Sequence, residues 1–493
     1  MRRFKHYLLL PLLFLPTICF GSGLEERVQE HTFANGLKLL VVERHASPTF
    51  SAYITLGVGS VHETDRTRGV AHLLEHMLFK GTKTLGTIDY EAEKKVLQQI
   101  ETIGSRLDAE RLKPNPDSGT IATLEQRLQQ LQAEHKKFVV KDEFSKIYAE
   151  HGGVGYNAFT SKDQTSYLIS LPANKFELWA AIESDRMKNP VLREFYTERE
   201  VVREERRRSY DSNPRGLLYE NLLANAYTVH PYRNPIIGWD TDIRNLSLAE
   251  TRDFLQSYYA PVNAVITLVG DLSFDQAVAT VGRYFGDIEA GVKVPSVPSV
   301  EPAQRGEKRI AVNFDAEPTL SIAYHKPTLP DRQDYVFDVI DALLSGGSTS
   351  MLYRSLLVEQ QLVSSIATYA APGARYPNLF VISATPRYPH TPAEVEAAIY
   401  AELHKLATEP VADAELSRIQ KRLRTDNIRS LGSNSGLANM LSYYQSIAGS
   451  WRYLVEYEKQ IETVTAKEVM AVARDYFIPR NRTVVVLAKG GLK

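Results

Sequence analysis

The order of predicted strands and helices occurs twice along the chain, and this repeat constrains the fold more than any other feature. The strands of the first copy lie near 32–42, 51–58, 156–160, 166–171 and 264–269, and those of the second near 309–314, 320–325, 364–369, 379–385 and 483–488. Helices lie between them, so the sequence predicts an α+β fold of two homologous lobes. We expect each lobe to hold a mixed or antiparallel sheet flanked by helices, and the lobes to enclose a cleft.

A proline-rich segment separates the two copies. Residues 292–305 hold three prolines and no apolar periodicity, which is typical of a linker. We predict an N-terminal lobe over 24–290, a linker over 291–307, and a C-terminal lobe over 308–493 that is a degenerate repeat of the first. A length of 493 residues and a hydrophobic content of 43% suit two such lobes.

A long charged stretch interrupts the N-terminal lobe. Residues 90–111 and 121–137 have the pattern of amphipathic helices, and the segment between them, 114–119, is rich in turn-forming residues. This pattern predicts an antiparallel helical hairpin inserted over about 90–137. The sequence leaves open whether the hairpin is a lid, a partner surface or a decoration.

Residues 72–76 read His-Leu-Leu-Glu-His, which is the strongest chemical signal in the chain. On a helix, His72 and His76 lie on one face, because residues four apart are neighbours there, and Glu75 lies close to that face. Two imidazoles and a carboxylate are the groups that hold a zinc ion and take a proton from its water. The order H-x-x-E-H marks the inverzincin peptidases.

A catalytic zinc site needs a third protein ligand, which the motif does not supply. The acidic helix predicted over 197–205 is the obvious source. Glu198 and Glu205 share one face of this helix, whereas Glu200 and Glu204 share another. Spacing alone does not choose between them.

The N-terminus has the pattern of a secretion signal. Residues 1–5 include three basic side chains, 8–20 are apolar, and 21–23 are small. We therefore expect 1–23 to be a cleaved signal peptide and the mature protein to be periplasmic. Cys19, the only cysteine, lies inside this segment in a poor lipoprotein context, so we expect neither a lipid anchor nor a disulfide. We predict no transmembrane segment, and a formal net charge of -1 gives no indication of nucleic-acid binding.

Three segments resemble the pitrilysin/insulin-degrading-enzyme (insulinase) family of zinc metallopeptidases. They are 69–82, the Gly-Tyr-Asn-Ala-Phe-Thr sequence at 155–160, and the acidic segment 198–205. The shorter bacterial members of this family are similar to the subunits of the mitochondrial processing peptidase. The resemblance implies an endopeptidase that cuts peptides or unfolded polypeptide segments.

The resemblance also implies the roles of individual residues. It makes His72, His76 and Glu205 the ligands of one zinc ion, and Glu75 the general base. Glu198 would orient a ligand histidine from outside the coordination sphere. The gap of 205 − 76 = 129 positions between His76 and Glu205 is longer than the resemblance implies, and the predicted hairpin accounts for the excess.

The resemblance predicts some substrate contacts and finds others missing. Asn157 and Ala158 would lie on an edge strand that pairs with the substrate backbone. Leu357 and Ser364 stand where the family carries an Arg and a Tyr that contact the scissile carbonyl. We therefore expect the zinc-bearing subunit of a heterodimer, whose paralogous partner supplies that Arg and Tyr, with a homodimer as the other arrangement.

Two rival hypotheses belong to other classes. The missing Arg and Tyr favour a non-catalytic scaffold or binding subunit of a peptidase-like complex, whereas the complete set of His72, Glu75, His76 and Glu205 argues against it. A structural zinc site is disfavoured because such sites are usually closed by four ligands, often cysteines. The mature chain has no cysteine.

Overall fold

The computed structural model describes residues 23–489, and the first part of this range forms a lobe around one sheet. Its strands are β1 (Val28–Thr32), β2 (Lys38–Glu43), β3 (Thr49–Leu56), β4 (Val154–Thr160), β5 (Thr165–Pro172) and β6 (Ala264–Gly270). Its helices are α1 (Leu24–Arg27), α2 (Val70–Met77), α3 (Tyr90–Arg111), α4 (Ser118–His135), α5 (Glu143–Glu150), α6 (Phe176–Lys188), α7 (Phe195–Arg206), α8 (Pro214–Ala226), α9 (Asp240–Asn245), α10 (Leu248–Tyr258) and α11 (Phe274–Phe285). The predicted signal peptide and Cys19 lie outside the described residues.

The C-terminal lobe follows an irregular stretch after Phe285. Its strands are β7 (Lys308–Asn313), β8 (Thr319–Lys326), β9 (Val363–Ala371), β10 (Asn378–Pro386) and β11 (Arg482–Ala488). Its helices are α12 (Arg332–Ser345), α13 (Pro392–Thr408), α14 (Asp413–Ser430), α15 (Asn434–Ala448), α16 (Arg452–Glu462) and α17 (Ala466–Tyr476). Short π-helical segments follow α7 at Arg207–Asp211 and precede β9 at Tyr353–Glu359.

The two sheets share one topology, which confirms the predicted α+β fold of two lobes. The strand orders are β1-β2-β6-β3-β5-β4 and β7-β11-β8-β10-β9. Without β1 they correspond strand for strand, because β2–β6 and β7–β11 are the parallel pairs and all other pairs are antiparallel. By this correspondence β4 and β9 are equivalent edge strands.

Each sheet packs against a helix of the other lobe. One face of the first sheet buries apolar side chains against α15, with Leu437 and Leu441 among them. The second sheet receives Leu218, Leu222 and Leu223 of α8 in the same way. Because both exchanged helices bury apolar surface, the lobes are joined by two hydrophobic cores rather than by a flexible linker alone.

The predicted helical hairpin is α3 and α4, which run antiparallel beside the N-terminal lobe. Asp89 caps α3 by accepting a hydrogen bond from the Ala92 amide, and Asp117 caps α4 in the same manner. Within residues 23–489, none of the helices is both long and apolar enough to cross a bilayer.

Candidate metal centre

The two histidines of the motif lie side by side on α2. The ring centroids of His72 and His76 are 4.9 Å apart. The opposite face of this helix is fully buried through Val70, Ala71, Leu73, Leu74 and Met77. This packing fixes the helix in the N-terminal core and turns both imidazoles toward α7, as the apolar spacing predicts.

Glu205, near the C-terminal end of α7, completes a cluster with the two histidines. Its carboxylate oxygens lie 3.7 Å from His72 Nε2 and 3.4 Å from His76 Nε2. One donor atom from each of the three residues lies within 4.8 Å of the others. Two imidazoles and one carboxylate at such separations match the donor set of a catalytic zinc site, so the residues present fit this metal.

The charge states of the two imidazoles differ because their surroundings differ. Burial lowers the pKa of His72 to about 4, so this ring is neutral at pH 7 and keeps a lone pair for a metal. Hydrogen bonds with Glu198 and Glu205 raise the pKa of His76 to about 9. The carboxylates around His76 therefore favour a positive charge at this position.

Glu198 and Lys80 support His76 from the side away from Glu205. The Nδ1 of His76 lies 3.4 Å from Glu198, and Lys80 Nζ lies 2.5 Å from the other oxygen of the same carboxylate. Burial alone would raise the pKa of Glu198, but the hydrogen bonds from His76 and Lys80 outweigh it and lower the pKa. Glu198 thus holds one nitrogen of His76 and leaves the other directed at Glu205. Lys80 was not predicted, because the sequence does not indicate its partner on α7.

Glu75 accepts a hydrogen bond from a strand that is distant in sequence. The hydroxyl of Thr160, the last residue of β4, donates to Glu75 Oε2 at 2.6 Å. Burial raises the pKa of Glu75, and the Thr160 hydrogen bond partly opposes this shift. Thr160 lies at the end of the Gly-Tyr-Asn-Ala-Phe-Thr sequence, which is the signal that could have identified it.

The helical hairpin braces the helix that carries Glu198 and Glu205. Arg199 of α7 is 2% exposed and donates to both oxygens of Asp108 on α3, at 2.9 and 3.1 Å. A Cβ at Gly104 would lie 2.0 Å from the ring of Tyr196, so α3 and α7 approach closely there. This contact narrows the role left open by the sequence, because the hairpin packs directly against α7, the helix that carries Glu205.

A second brace is formed by fully buried charges at the base of the hairpin. The guanidinium of Arg193, just before α7, pairs with Glu93 of α3 at 2.7 Å, and His135 of α4 lies 2.8 Å from the same carboxylate. Arg193 also donates to the carbonyl of Thr82, in the loop after α2. The hairpin is thereby connected to the segments that flank both α2 and α7.

Asn157 and Ala158 lie on β4, which is an edge strand of the six-stranded sheet. Asn157 is exposed, and Ala158 is 6% exposed and pairs with Tyr167 of β5. The other edge of β4 has no strand partner among residues 23–489. An extended peptide can add to such an edge through main-chain hydrogen bonds.

Leu357 and Ser364 sit in different surroundings within the C-terminal lobe. Leu357 packs partly buried against that lobe's core, inside the π-helical segment. Ser364 is exposed at the start of β9 and donates a hydrogen bond to the Thr385 carbonyl. The nearby Arg354 pairs with Glu359, and Tyr369 is 37% exposed on β9.

The imidazole of His230 is buried and does not belong to the cluster of His72, His76 and Glu205. Its ring is 3% exposed and packs between Tyr232 and Tyr376, at the junction of the lobes. The short Pro231–Arg233 turn that follows is capped by the His230 side chain. A burial of this kind depends on residue 376, which no local pattern around residue 230 indicates.

Comparison with known families identifies the class of protein. The family described as Insulinase (Peptidase family M16) matches residues 39–113 and 128–240, and the Peptidase M16 inactive domain matches residues 245–423. The chain belongs to the M16 insulinase family of peptidases. The unmatched residues 114–127 cover the tip of the hairpin formed by α3 and α4.

Similar proteins extend over nearly the whole chain. The zinc protease PqqE of Helicobacter pylori is 26% identical over 494 residues, covering 98% of this chain and 98% of that protein. The crystal structure of a protease from the same organism has a TM-score of 0.78 at 25% identity and covers 94% of this chain and 99% of that one. The periplasmic protease PqqL of Escherichia coli shares the fold at 16% identity, with a TM-score of 0.69 over 94% of this chain and 48% of PqqL.

Proposed function

We propose that this chain is a zinc-dependent endopeptidase that hydrolyses peptides or unfolded polypeptide segments. The proposal rests chiefly on the cluster of His72, His76 and Glu205, with Glu75 on the same helix as the histidines. Relatives of matching length are named zinc proteases, which agrees with this donor set. We propose His72, His76 and Glu205 as the ligands of one zinc ion.

Other residues of the chain would transfer the proton, orient a ligand histidine and align the substrate. A zinc ion held there would supply a Lewis acid that activates water and polarises the peptide carbonyl. Glu75, held by Thr160, accepts the proton of the attacking water and passes it to the departing amine. Glu198 holds the orientation of His76, and the free edge of β4 around Asn157 and Ala158 aligns an extended substrate.

We further propose that the active enzyme is a heterodimer. Leu357 and Ser364 provide neither a cation nor a phenol near the scissile carbonyl, and a missing oxyanion donor costs roughly 10²–10³ in rate. PqqL is about twice as long as the part that this chain covers, as expected if PqqL joins two such units in one polypeptide. A paralogous partner that retains the Arg and Tyr would fill the same need in trans.

The experiment is hydrolysis of a quenched fluorescent peptide by the chain alone and with a paralogous chain that has Arg and Tyr at the positions of Leu357 and Ser364. We expect the partner to raise kcat by about 10² or more. Full activity without the partner, or activity that rises with dimerisation of this chain alone, would overturn the heterodimer. The partner's own Tyr→Phe variant is the matched control.

The non-catalytic scaffold remains the second candidate because Leu357 and Ser364 replace substrate-contacting groups. It makes a distinct prediction: the complex would retain full peptidase activity when Glu75 of this chain is replaced by Gln. Zinc content and peptide hydrolysis, measured on the same preparation, therefore separate the enzyme from the scaffold.

We also propose export to the periplasm through cleavage of residues 1–23. The basic and apolar segments at the N-terminus support this proposal, and PqqL, which shares the fold, is named a periplasmic protease. Mass spectrometry of the protein recovered from the periplasmic fraction should give an N-terminus near residue 24. An intact Met1 in that fraction would contradict cleavage.

A further inference from the structure

The turn that joins β4 to β5 makes a buried contact with the C-terminal lobe. Asp163 in this turn is 2% exposed and accepts three hydrogen bonds. They come from the Tyr232 hydroxyl at 2.6 Å, the Ala374 amide at 2.8 Å and the Arg375 amide at 3.3 Å. Ala374 and Arg375 belong to the loop between β9 and β10. A single carboxylate of the N-terminal lobe thus holds the main chain of the other lobe.

This loop is packed against the turn without spare room. A Cβ at Gly373 would lie 2.3 Å from the Tyr232 hydroxyl and 2.6 Å from Asp163 Oδ2. The Arg375 side chain extends back across the junction and donates to the Gly57 carbonyl at 3.0 Å and the Ser446 carbonyl at 2.8 Å. The contact is therefore a closely packed, hydrogen-bonded part of the interface between the lobes.

On its other side the turn is tied to the loop that leads into α2. The amides of Ser60 and Val61 donate to the carbonyls of Ser161 and Lys162, at 3.2 and 2.9 Å. Glu63, farther along that loop, accepts hydrogen bonds of 2.9 Å from the amides of Gly69 and Ala71 at the start of α2. The first turn of the helix that carries Glu75 is held in this way.

The turn also begins directly after Thr160, whose hydroxyl donates to Glu75 at 2.6 Å. Asp163 is three residues from Thr160 along the chain. Two short paths therefore run from the C-terminal lobe to Glu75, one through Thr160 and one through the loop before α2.

We infer that Asp163 is a positioning residue through which the C-terminal lobe holds Glu75 in place. The inference rests on the proposed function for the role of Glu75, but the contact itself is independent of that role. The C-terminal lobe, which lacks the metal-binding motif, would thus contribute to the site indirectly. Its loop between β9 and β10 fixes the turn between β4 and β5, and this turn fixes Thr160 and the start of α2. A base must be held within hydrogen-bond reach of its substrate, and small misplacements lower the rate strongly.

The first test is hydrogen exchange on the full chain carrying Asp163→Asn. The substituted amide cannot accept all three donors, so we expect amides of 154–165 and 69–73 to exchange about tenfold faster. The matched control is Glu396→Gln in the C-terminal lobe. Glu396 is 7% exposed and accepts from the Tyr400 hydroxyl and from Arg309, but it lies away from the turn.

Three outcomes of this test are decisive. Faster exchange in 154–165 and 69–73 for Asp163→Asn alone supports the inference. Faster exchange confined to the loop between β9 and β10 overturns it, and so does equal acceleration across the whole chain in both variants. None of these readings depends on peptidase activity.

The second test is a double-mutant cycle between Asp163→Asn and Thr160→Val in the preparation that cleaves peptide. We expect each variant to lower kcat about tenfold with KM and zinc content unchanged, and the double variant to be little worse than either. Losses that multiply would overturn the coupling. A wild-type protein without any cleavage would instead refute the proposed function, while the exchange test would still decide the role of Asp163.

Discussion

Helices α2 and α12 occupy the same place in the two lobes, but only α2 carries imidazoles. α2 follows β3 and α12 follows the equivalent strand β8, and each helix buries an apolar face in the core of its lobe. α12 carries three carboxylates, at Asp334, Asp338 and Asp341, without a histidine. The fold therefore does not require the donor set, which only α2 of these two helices carries.

A second pair of equivalent helices, α7 and α14, also differs in the side chains that it buries. α7 buries charged residues, including Arg199 and Arg206, whereas α14 at the corresponding place buries only Leu416 and Ile419. The hairpin of α3 and α4 also occurs only in the N-terminal lobe of the described chain. The helix that carries the acidic residues of the site, α7, is thus held by buried ion pairs and by the hairpin. The described part of the second lobe has no such contacts around α14.

The largest expected effect is the loss of activity when the proposed base on α2 is removed. We expect Glu75→Gln to lower kcat by about 10³, because general-base catalysis contributes roughly 10²–10⁴, and to leave zinc content unchanged. Peptide hydrolysis and elemental analysis on one preparation measure both. Glu200→Gln, an exposed Glu→Gln change on α7, should leave both quantities as in wild type.

Breaking the brace between α3 and α7 should have the next largest effect. Asp108→Asn leaves the guanidinium of Arg199 buried without its countercharge, so the free energy of unfolding should fall by about 3 kcal/mol. Urea denaturation measures the change. The exposed pair of Arg111 and Glu125 gives the control, since Glu125→Gln should alter the free energy by less than about 1 kcal/mol. Equal effects of the two substitutions would show that the hairpin is only a decoration.

Loss of the group that orients His76 should weaken metal binding moderately. Glu198→Gln removes the charge that holds Nδ1 of His76, and such changes typically cost about 10–100-fold in metal affinity. Competition with a chromophoric chelator gives the dissociation constant. An unchanged constant would mean that Glu198 serves only its ion pair with Lys80.

A further effect concerns Asp338, one of the three carboxylates on α12. Burial raises the pKa of Asp338 from 3.8 to about 7, with Asp334 adding to this shift and Lys326 opposing it. The folded state keeps this proton between those pH values while the unfolded state loses it, so its contribution to stability is complete below pH 3.8 and is lost as pH rises through about 7.

Asp338→Asn removes this titration from the C-terminal lobe. The free energy of unfolding of the variant should fall less than that of wild type as pH rises from 4 to 8, because the substituted amide has no proton to lose. Urea unfolding at several pH values measures the difference, and zinc content should not change. Parallel pH curves for the two proteins would contradict the assignment.

Local patterns predicted the elements that their own residues determine. The helix expected at 90–111 is α3 with the same bounds, because its charged, periodic sequence favours helix without help from elsewhere. The segment Tyr353–Glu359 is π-helical rather than α-helical. Local propensity does not distinguish these hydrogen-bond patterns.

One helix that packs on the sheet of the other lobe, α15, was not predicted. α15 begins with Asn434, Ser435 and Gly436, which read as a loop, and its apolar residues make sense only against the first sheet. The candidate site likewise combines features that local sequence determines with contacts between residues far apart in the chain. The spacing of His72 and His76 follows from one helical turn, whereas the contacts of Thr160 with Glu75 and of Asp163 with Ala374 join residues 85 and 211 positions apart.

The central claim is that one divalent ion binds between α2 and α7, and X-ray diffraction above and below the zinc absorption edge tests it most directly. Crystals of the zinc-loaded chain should show one anomalous peak per chain, in contact with His72, His76 and Glu205. A peak elsewhere, or no peak from protein that was loaded at equimolar zinc, would contradict the account.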